Sequence, residues 1–207
     1  MSVTKDMTEG SPMKLILGFS VPLLFGYLFQ QLYNLVDTMI VGQFLGVDAL
    51  AAVGATGSIN FLIIGFCNGV CSGFALPVAH RFGAKDYKTL RKLYANSIWL
   101  SVIFALVMTA LTVIFCRPIL TLMRTPANIF EYSYQYILII FIGIPATYLF
   151  NLTSGMIRAL GNSRAPLIIL VISSFLNVIL DLVFILNFNM GVAGAAAATV
   201  LSQVVSG

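Results

Sequence analysis

Apolar residues fill long runs of this 207-residue chain, and short polar or charged stretches separate the runs. A helix needs about 20 predominantly apolar residues to cross a bilayer, and in hydrocarbon every backbone group has to be paired within its own segment. The pattern predicts an all-α integral membrane protein. We expect an N-terminal tail at residues 1–13 and a six-helix bundle over residues 14–207. The six spanning helices are predicted at about 14–45, 49–80, 93–116, 130–157, 165–187 and 191–207.

The composition agrees with the pattern, because 59% of the residues are hydrophobic and only 9% are charged. This leaves no room for a soluble domain. The first apolar run continues far beyond the ~7 to 15 residues of a signal-peptide core, so we expect it to remain as the first span.

The basic residues fall mainly on one side of the predicted bundle. If the N-terminus is cytoplasmic, nine lie inside and two outside, which follows the positive-inside rule. The nine are Lys5, Lys14, Arg81, Lys85, Lys88, Arg91, Lys92, Arg158 and Arg164, and the two are Arg117 and Arg124. The charge therefore predicts a multi-pass protein of the inner (cytoplasmic) membrane with its N-terminus and tail in the cytoplasm. It reports topology in a lipid bilayer and does not indicate a nucleic-acid partner.

Two aspartates, Asp37 and Asp181, lie within predicted spans. A carboxylate in hydrocarbon costs roughly 3 kcal/mol or more, so it usually marks an ion path, a proton relay or a substrate site. The alternative is an aspartate held by a neighbouring helix to fix packing. With a rise of about 1.5 Å per residue, Asp37, Asp181 and Thr199 all lie roughly 9 to 12 Å below the outer surface. A shared depth on three helices favours one common site.

Each aspartate has an amide on its own helix face, Asn34 for Asp37 and Asn177 for Asp181. Carboxylate, amide and hydroxyl oxygens suit a hard monovalent cation or a proton rather than a transition metal. Other polar residues within the spans either line a water-filled cavity or form interhelical hydrogen bonds. These are Gln30 and Tyr33 on helix one, and Asn60, Asn68 and Asn151 on helices two and four.

Several small or helix-breaking residues indicate structural roles. The three cysteines lie in or at the end of apolar runs, and we interpret them as packing residues rather than zinc ligands or disulfides. The four-residue spacing of Gly65, Gly69 and Gly73 predicts close helix packing on helix two. Pro22 predicts either a static kink in helix one or a hinge that responds to the charge of Asp37.

Several dispersed motifs together resemble one known family. Helix one reads from Ser20 through Pro22 and Asp37 to Gly42, and Ala49-Leu-Ala-Ala-Val-Gly54 follows it. Later come Ala79-His-Arg-Phe-Gly-Ala84, Arg158-Ala-Leu-Gly-Asn162 and Gly191-Val-Ala-Gly-Ala-Ala196. In this order the motifs closely resemble the N-terminal half of the MATE (multidrug and toxic compound extrusion) family.

The resemblance implies an efflux antiporter that is driven by Na⁺ or H⁺ and exports bulky, drug-like organic compounds by alternating access. Its N-terminal lobe carries a cation site, to which Asp37, Asn177, Asp181 and Thr199 are similar in position. Pro22 matches the family's helix-one kink. The resemblance implies no cofactor beyond the coupling ion.

Family members have two six-helix lobes, whereas this sequence reaches Gly207 within the sixth predicted helix. We expect either a fragment that lacks its C-terminal lobe or a parallel dimer of two copies, and the unsupported helix end favours the fragment.

Three other functions remain as alternatives. A lipid-linked oligosaccharide or polysaccharide flippase shares the architecture, but we would expect cationic residues along its cavity. A nontransporting subunit or membrane fragment is the second. An intramembrane enzyme is the third, and it is disfavoured because the sequence has no His/Glu metal motif, carboxylate cluster or Ser/His pairing.

Overall fold

The computed structural model describes residues 10–207, so most of the predicted N-terminal tail, including Lys5, lies outside the described residues. The regular structure of the described residues is helical. Seven α-helices and one π-helical turn follow one another: α1 Pro12–Leu45, α2 Val47–Gly83, α3 Tyr87–Leu122, α4 Ala127–Ile142, α5 Ile144–Ala159, α6 Arg164–Leu182, the π turn Val183–Asn187, and α7 Gly191–Ser206.

The membrane-spanning helices match the predicted all-α architecture. Among the described residues, α1, α2, α3 and the continuous stretch 164–187 are each long and apolar enough to cross a bilayer. The fourth predicted span, 130–157, is instead two helices, α4 and α5, bent by 48° at Gly143. Pro145 lies in the first turn of α5, where its missing N–H costs no hydrogen bond. The predicted sixth span, 191–207, corresponds to α7, an apolar helix of 16 residues that is shorter than the other candidate spans among the described residues.

Helix α3 extends beyond the predicted third span, 93–116, at both ends, because it begins at Tyr87 and ends at Leu122. Its charged first turns remain helical since the Asp86 side chain accepts a hydrogen bond from the Thr89 backbone N–H at 3.1 Å. Helix α1 continues through Pro22 without a break.

Short connections fix the order of the helices in space. Gly46 joins α1 to α2 with a φ of 86°, a conformation that glycine adopts without strain. Between α5 and α6, the Asn162 side-chain oxygen accepts hydrogen bonds from the N–H groups of Arg164 and Ala165, both at 3.1 Å. These turns leave adjacent helices antiparallel.

The centre of the bundle is built from α2, α4, α5 and α7. Helix α2 packs mainly on α4 and α5, while α6 packs on α7 and α1. Val41, Cys67, Ile137, Ile144 and Ala195 are fully buried where these helices meet. Many large apolar side chains of α1, α2 and α3 are exposed, as expected for surfaces that meet lipid or another membrane helix.

The prediction of close packing at the glycines of α2 was wrong. A Cβ built on Gly65, Gly69 or Gly73 would have nothing within 4 Å, so these glycines pack against no neighbour in the described part of the chain. Gly194 on α7 is tight instead, because a Cβ there would lie 3.1 Å from the Cβ atoms of Phe184 and Met190.

Candidate cation and substrate site

The two intramembrane aspartates meet where α1 faces α6. Asp37 is 8% exposed and Asp181 is fully buried. Their carboxyl groups are close enough for one to hydrogen-bond to the other when a proton lies between them. On α6, Ser173, Asn177 and Asp181 are all buried, and their four-residue spacing puts them on one helix face. The π turn follows Asp181 almost directly, and such turns are frequent at functional sites.

The Thr199 hydroxyl connects three helices beside the aspartates. It donates to the Ala195 carbonyl on its own helix at 3.1 Å. It also accepts from the Asn177 side-chain amide at 3.4 Å and lies 3.4 Å from the Tyr33 hydroxyl. Tyr33 of α1, Asn177 of α6 and Thr199 of α7 are therefore joined by side-chain contacts.

Several acceptor oxygens at this place have no donor. Among the described residues, nothing hydrogen-bonds to Asp37 Oδ1, Asn177 Oδ1 or either carboxylate oxygen of Asp181, although all four atoms are buried. Buried polar atoms are normally paired, and two adjacent buried carboxylates repel each other. A shared proton or a small hard cation would satisfy these oxygens. They therefore form a chemically suitable set of ligands for the coupling ion predicted from sequence.

A cavity of about 1100 Å³ opens beside this cluster. Asp37, Tyr33 and Thr199 line it, whereas Asn177 and Asp181 do not and lie behind them. All of the polar residues proposed from sequence for a cavity contribute to its wall, namely Gln30, Tyr33, Asn34, Asn60, Asn68 and Asn151. The structure thus places Asp37, Tyr33 and Thr199 in the wall of the cavity, with Asn177 and Asp181 behind it.

The amides of the cavity differ in how they are held. Asn34 is exposed and donates to Gln31 at 3.3 Å, and no hydrogen bond joins it to Asp37. On α6 the Asn177 amide donates to Thr199 rather than to Asp181, so neither amide is hydrogen-bonded to the aspartate on its own helix. Asn151 donates to the Thr147 carbonyl on its own helix at 2.8 Å. Asn60 has a buried side-chain oxygen without a donor among the described residues.

The sequence analysis missed Tyr136 of α4. This tyrosine is buried, lines the cavity and lies beside Asp37, Asp181 and Tyr33. It follows Ala127 by nine residues on a helix that descends from the outer side, which gives a depth of roughly 13 Å. This depth is close to the roughly 9 to 12 Å predicted for the two aspartates and Thr199, so depth was a signal that could have identified Tyr136.

Thr147 and Gln203 were missed as well. The Thr147 hydroxyl donates to the Gln203 side-chain oxygen at 2.8 Å, which joins α5 to α7 in the cavity wall. Both are polar residues within apolar helices, which is the feature that could have identified them. Their pairing depends on the bend at Gly143, which the sequence analysis did not place.

The cavity wall also contains several aromatic rings and is nearly uncharged. Phe19, Tyr27, Phe61 and Phe150 contribute rings. Of the Asp, Glu, Lys and Arg residues described, only Asp37 and Arg158 line it. Arg158 lies in the last turn of α5. Such a wall suits an aromatic guest with a positive or neutral charge.

One of the three cysteines, Cys71, contributes to the wall of the cavity. Cys67, Cys71 and Cys116 are all free and buried. Within residues 10–207 no group of three or more His, Cys, Asp or Glu side chains could hold a metal ion.

Comparison with known proteins gives a consistent family assignment. The MatE family model matches residues 22–183. The probable multidrug resistance protein YoeA of Bacillus subtilis (strain 168) is 32% identical over 206 residues, which cover 98% of this chain and 44% of the relative. The multidrug export protein MepA of Staphylococcus aureus (strain NCTC 8325 / PS 47) is 26% identical over 197 residues, with coverages of 95% and 44%.

Solved structures agree. Crystal structures of MATE in the bent and straight conformations are both 31% identical to the chain and align with TM-scores of 0.88 and 0.86. Each alignment covers 97% of this chain and 44% of the solved chain. A MOP superfamily transporter from Pyrococcus furiosus aligns with a TM-score of 0.90 at 31% identity. The chain spans less than half the length of these relatives, as one half of a two-lobed transporter would, and it belongs to the MatE family of membrane transporters.

Proposed function

We propose that this chain forms the cation-coupling lobe of an antiporter that exports organic cations, drugs or toxic compounds across the cytoplasmic membrane. The observation that carries the proposal is the buried Asp37–Asp181 pair, with its unpaired oxygens, beside a cavity whose wall includes Asp37 and several aromatic rings. The names of the relatives, multidrug resistance and multidrug export proteins, support the drug-like class of substrate. The relatives are transporters rather than enzymes.

The coupling ion in this proposal is Na⁺ or H⁺. An inward-moving ion cancels one of the two negative charges of the carboxylate pair, which relieves the repulsion between α1 and α6. Because Tyr33 and Asp37 are on α1 while Thr199 is on α7, loss of the ion changes the contacts that hold α1 against the bundle. Helix α1, with Pro22, then changes shape or position and opens the cavity to the other side. Alternating access couples inward ion flow to outward drug release.

The complete transporter needs a partner for this lobe. A C-terminal lobe on the same or a separate chain is the proposed partner, and a second copy of this chain is the alternative. The proposed orientation has the N-terminus in the cytoplasm, which places the basic turn between α2 and α3 inside.

The test is ethidium efflux from drug-sensitive cells that express this chain alone, or this chain completed by a C-terminal lobe. Each version is also made with Asp37→Asn and with Asp181→Asn. We expect efflux only from the completed protein. Either substitution should lower the efflux rate at least roughly tenfold, since each removes a negative charge that binds the ion in this proposal.

The matched control is Asp48→Asn, which neutralises an exposed carboxylate at the start of α2 and should leave efflux unchanged. Normal efflux by the substituted protein at equal expression would overturn the cation site. Efflux by this chain alone would instead indicate that two copies of the chain form the transporter. Repeating the assay at fixed pH with and without Na⁺ separates the two coupling ions.

A further inference from the structure

The hairpin formed by α2 and α3 is too long to lie entirely within a membrane. The two helices have 37 and 36 residues, so each is about 55 Å long, against about 30 Å of bilayer hydrocarbon. The stretch from Lys92 to Arg117 covers about 37 Å and accounts for the span of α3. In the orientation proposed above, residues 80–92 therefore lie at or beyond the cytoplasmic headgroups.

A groove of about 620 Å³ lies between the two helices at this level. Its wall changes character along its length. The part toward the bilayer is apolar, and the part toward the turn is polar and basic. Its apolar lining residues are Gly73, Leu76, Pro77, Ala84 and Leu93, and its polar lining residues are His80, Arg81 and Thr89.

The apolar part of the groove is open. Gly73 contributes no side chain, and a Cβ built on it would have nothing within 4 Å. Leu76 is 62% exposed although it lies well inside α2. Among the described residues, no side chain occupies the space beside Gly73.

The polar end of the groove is positively charged. Residues 80–92 hold five basic side chains and one carboxylate, that of Asp86. Asp86 already accepts from the Thr89 N–H at 3.1 Å and pairs with Arg81 at 3.5 Å. The carboxylate therefore holds the Arg81 guanidinium at the rim, while Lys88, Arg91 and Lys92 add positive charge nearby.

We propose that this groove binds an anionic phospholipid of the cytoplasmic leaflet. Arg81, His80 and Thr89 donate to the headgroup phosphate, and the upper part of an acyl chain lies along Gly73, Leu76 and Leu93. Charge complementarity selects an anionic headgroup. The apolar floor selects a lipid over a soluble phosphate, because free phosphate would leave that floor uncovered. The groove shares Leu76 with the cavity beside Asp37, but its other lining residues, including His80, Arg81 and Thr89, do not line that cavity.

The test measures the thermal stability of the purified chain in detergent as phosphatidylglycerol is added, with phosphatidylcholine as the neutral lipid. A ligand that binds the folded state raises the melting temperature with its concentration. We expect phosphatidylglycerol to raise the melting temperature and phosphatidylcholine to do so far less. Arg81→Gln should raise the half-saturating phosphatidylglycerol concentration roughly tenfold, the loss expected for one charge-assisted contact. Lys14→Gln, which removes a basic residue of α1 outside the groove, should have no such effect.

A second pair of variants tests the apolar floor without changing charge. Gly73→Leu fills the groove, whereas Gly69→Leu adds the same side chain at an equally open position that does not line it. We expect only Gly73→Leu to weaken the phosphatidylglycerol response, with each variant compared with its own lipid-free melting temperature.

The proposal would be overturned by equal stabilisation by the two lipids, by equal responses of the Gly73 and Gly69 variants, or by an unchanged response in Arg81→Gln. Stabilisation by inorganic phosphate equal to that by phosphatidylglycerol would also overturn it, since it would show a soluble-anion site.

Discussion

Thr199 is the residue at which α1, α6 and α7 are joined by side-chain contacts. Replacing it by valine keeps its shape but removes the hydroxyl that contacts Asn177 and Tyr33. Each hydrogen bond contributes about 1 kcal/mol, and these two are long. We therefore expect Thr199→Val to raise the half-saturating coupling-ion concentration for efflux by roughly 3- to 10-fold.

The matched control is Thr112→Val on α3, whose hydroxyl donates only to carbonyls of its own helix. An equal ion requirement in both variants would show that Thr199 has no part in the ion site. An unchanged maximal efflux rate in Thr199→Val would separate ion binding from a loss of folded protein.

The Asp37–Asp181 pair also has a consequence for stability. Two buried carboxylates without a cation repel each other, so removal of one charge relieves a cost in the folded state. At alkaline pH and without Na⁺, we expect Asp181→Asn to melt at or above the temperature of the unmodified chain, although it loses ion coupling. Asp48→Asn serves as the exposed control. A clear fall in melting temperature specific to Asp181→Asn would instead indicate that the carboxylate serves packing.

Asp86 provides a pH-dependent cap for α3. Hydrogen bonds from Thr89, and then the charge of Arg81, hold the pKa of this carboxyl below its usual 3.8. Because the folded-state pKa is lowered, the cap stabilises the folded state above 3.8 and is lost as the pH falls through 3.8 toward the folded-state pKa. We expect amide exchange at Thr89 and Leu90 to be slower in the unmodified chain than in Asp86→Asn near neutral pH.

The two exchange rates should converge in acid, and each comparison is made at one pH because exchange itself depends on pH. Equal rates near neutral pH would show that the carboxylate charge adds nothing to the cap, since the asparagine oxygen can also accept from the Thr89 N–H. A difference that persists well below 3.8 would show that the carboxylate charge is not its source.

At this scale the sequence located the charged residues well, because a buried carboxylate stands out in an apolar helix. Asp37, Asp181 and Thr199 converge as the shared depth predicted, and their role in binding an ion stays a prediction. Tyr136 and Gln203 were missed since single polar groups of this kind are common in membrane helices. Sequence spacing alone did not predict the hydrogen-bond partner of Asn34, which lies one turn before Asp37 on α1 but donates to Gln31.

At the scale of the helices, the bend at Gly143 brings α4 and α5 against α7. A Cβ on Gly143 would overlap the Val200 side chain, and it would also lie 3.2 Å from the Ile140 carbonyl oxygen. Val200 is adjacent to Thr199, so we expect overpacking at this point to disturb the contacts of Thr199 with Asn177 and Tyr33. We expect Gly143→Ala to destabilise the chain by about 1–3 kcal/mol, the usual cost of overpacking, and to weaken ion coupling.

Shortening the partner side chain provides a direct check. The double variant Gly143→Ala with Val200→Ala should recover part of the melting temperature and of the ion response, because the overlapping methyl groups are removed. Gly69→Ala, which adds a methyl group in open space, is the control. Absence of any recovery in the double variant would show that the contact with Val200 is not the cause.

The spans were predictable because their apolar lengths follow from the thickness of the bilayer. Their ends and interruptions were less so. The charged first turns of α3 are helical because of a cap outside the apolar run. The glycines of α2 were read as a packing stripe, but nothing in the described residues covers them, and sequence spacing alone does not distinguish a packed glycine from an open one.

At the scale of the whole molecule, the cavity is bordered by side chains that remain strongly exposed. Tyr27 and Phe61 line it and are 70% and 82% exposed. Exposed aromatic residues beside a cavity indicate a surface that another element covers. Since the chain spans 44% of the length of its relatives, we expect a second lobe to cover this side in the complete transporter.

Cysteine labelling tests this expectation with little background, because Cys67, Cys71 and Cys116 are at most 1% exposed. Phe61→Cys should react quickly with a membrane-permeant maleimide in the isolated chain and at least roughly tenfold more slowly once a second lobe is present, since covering the side chain removes the access that the reaction needs. Trp99→Cys on α3 is the control, because Trp99 is 71% exposed but does not line the cavity. Equal slowing at both positions would indicate a general change in the membrane environment, and no slowing at either would show that the second lobe docks elsewhere. Selective slowing of Phe61→Cys, with further slowing when ethidium is added, would show that the second lobe closes the cavity in which the drug binds.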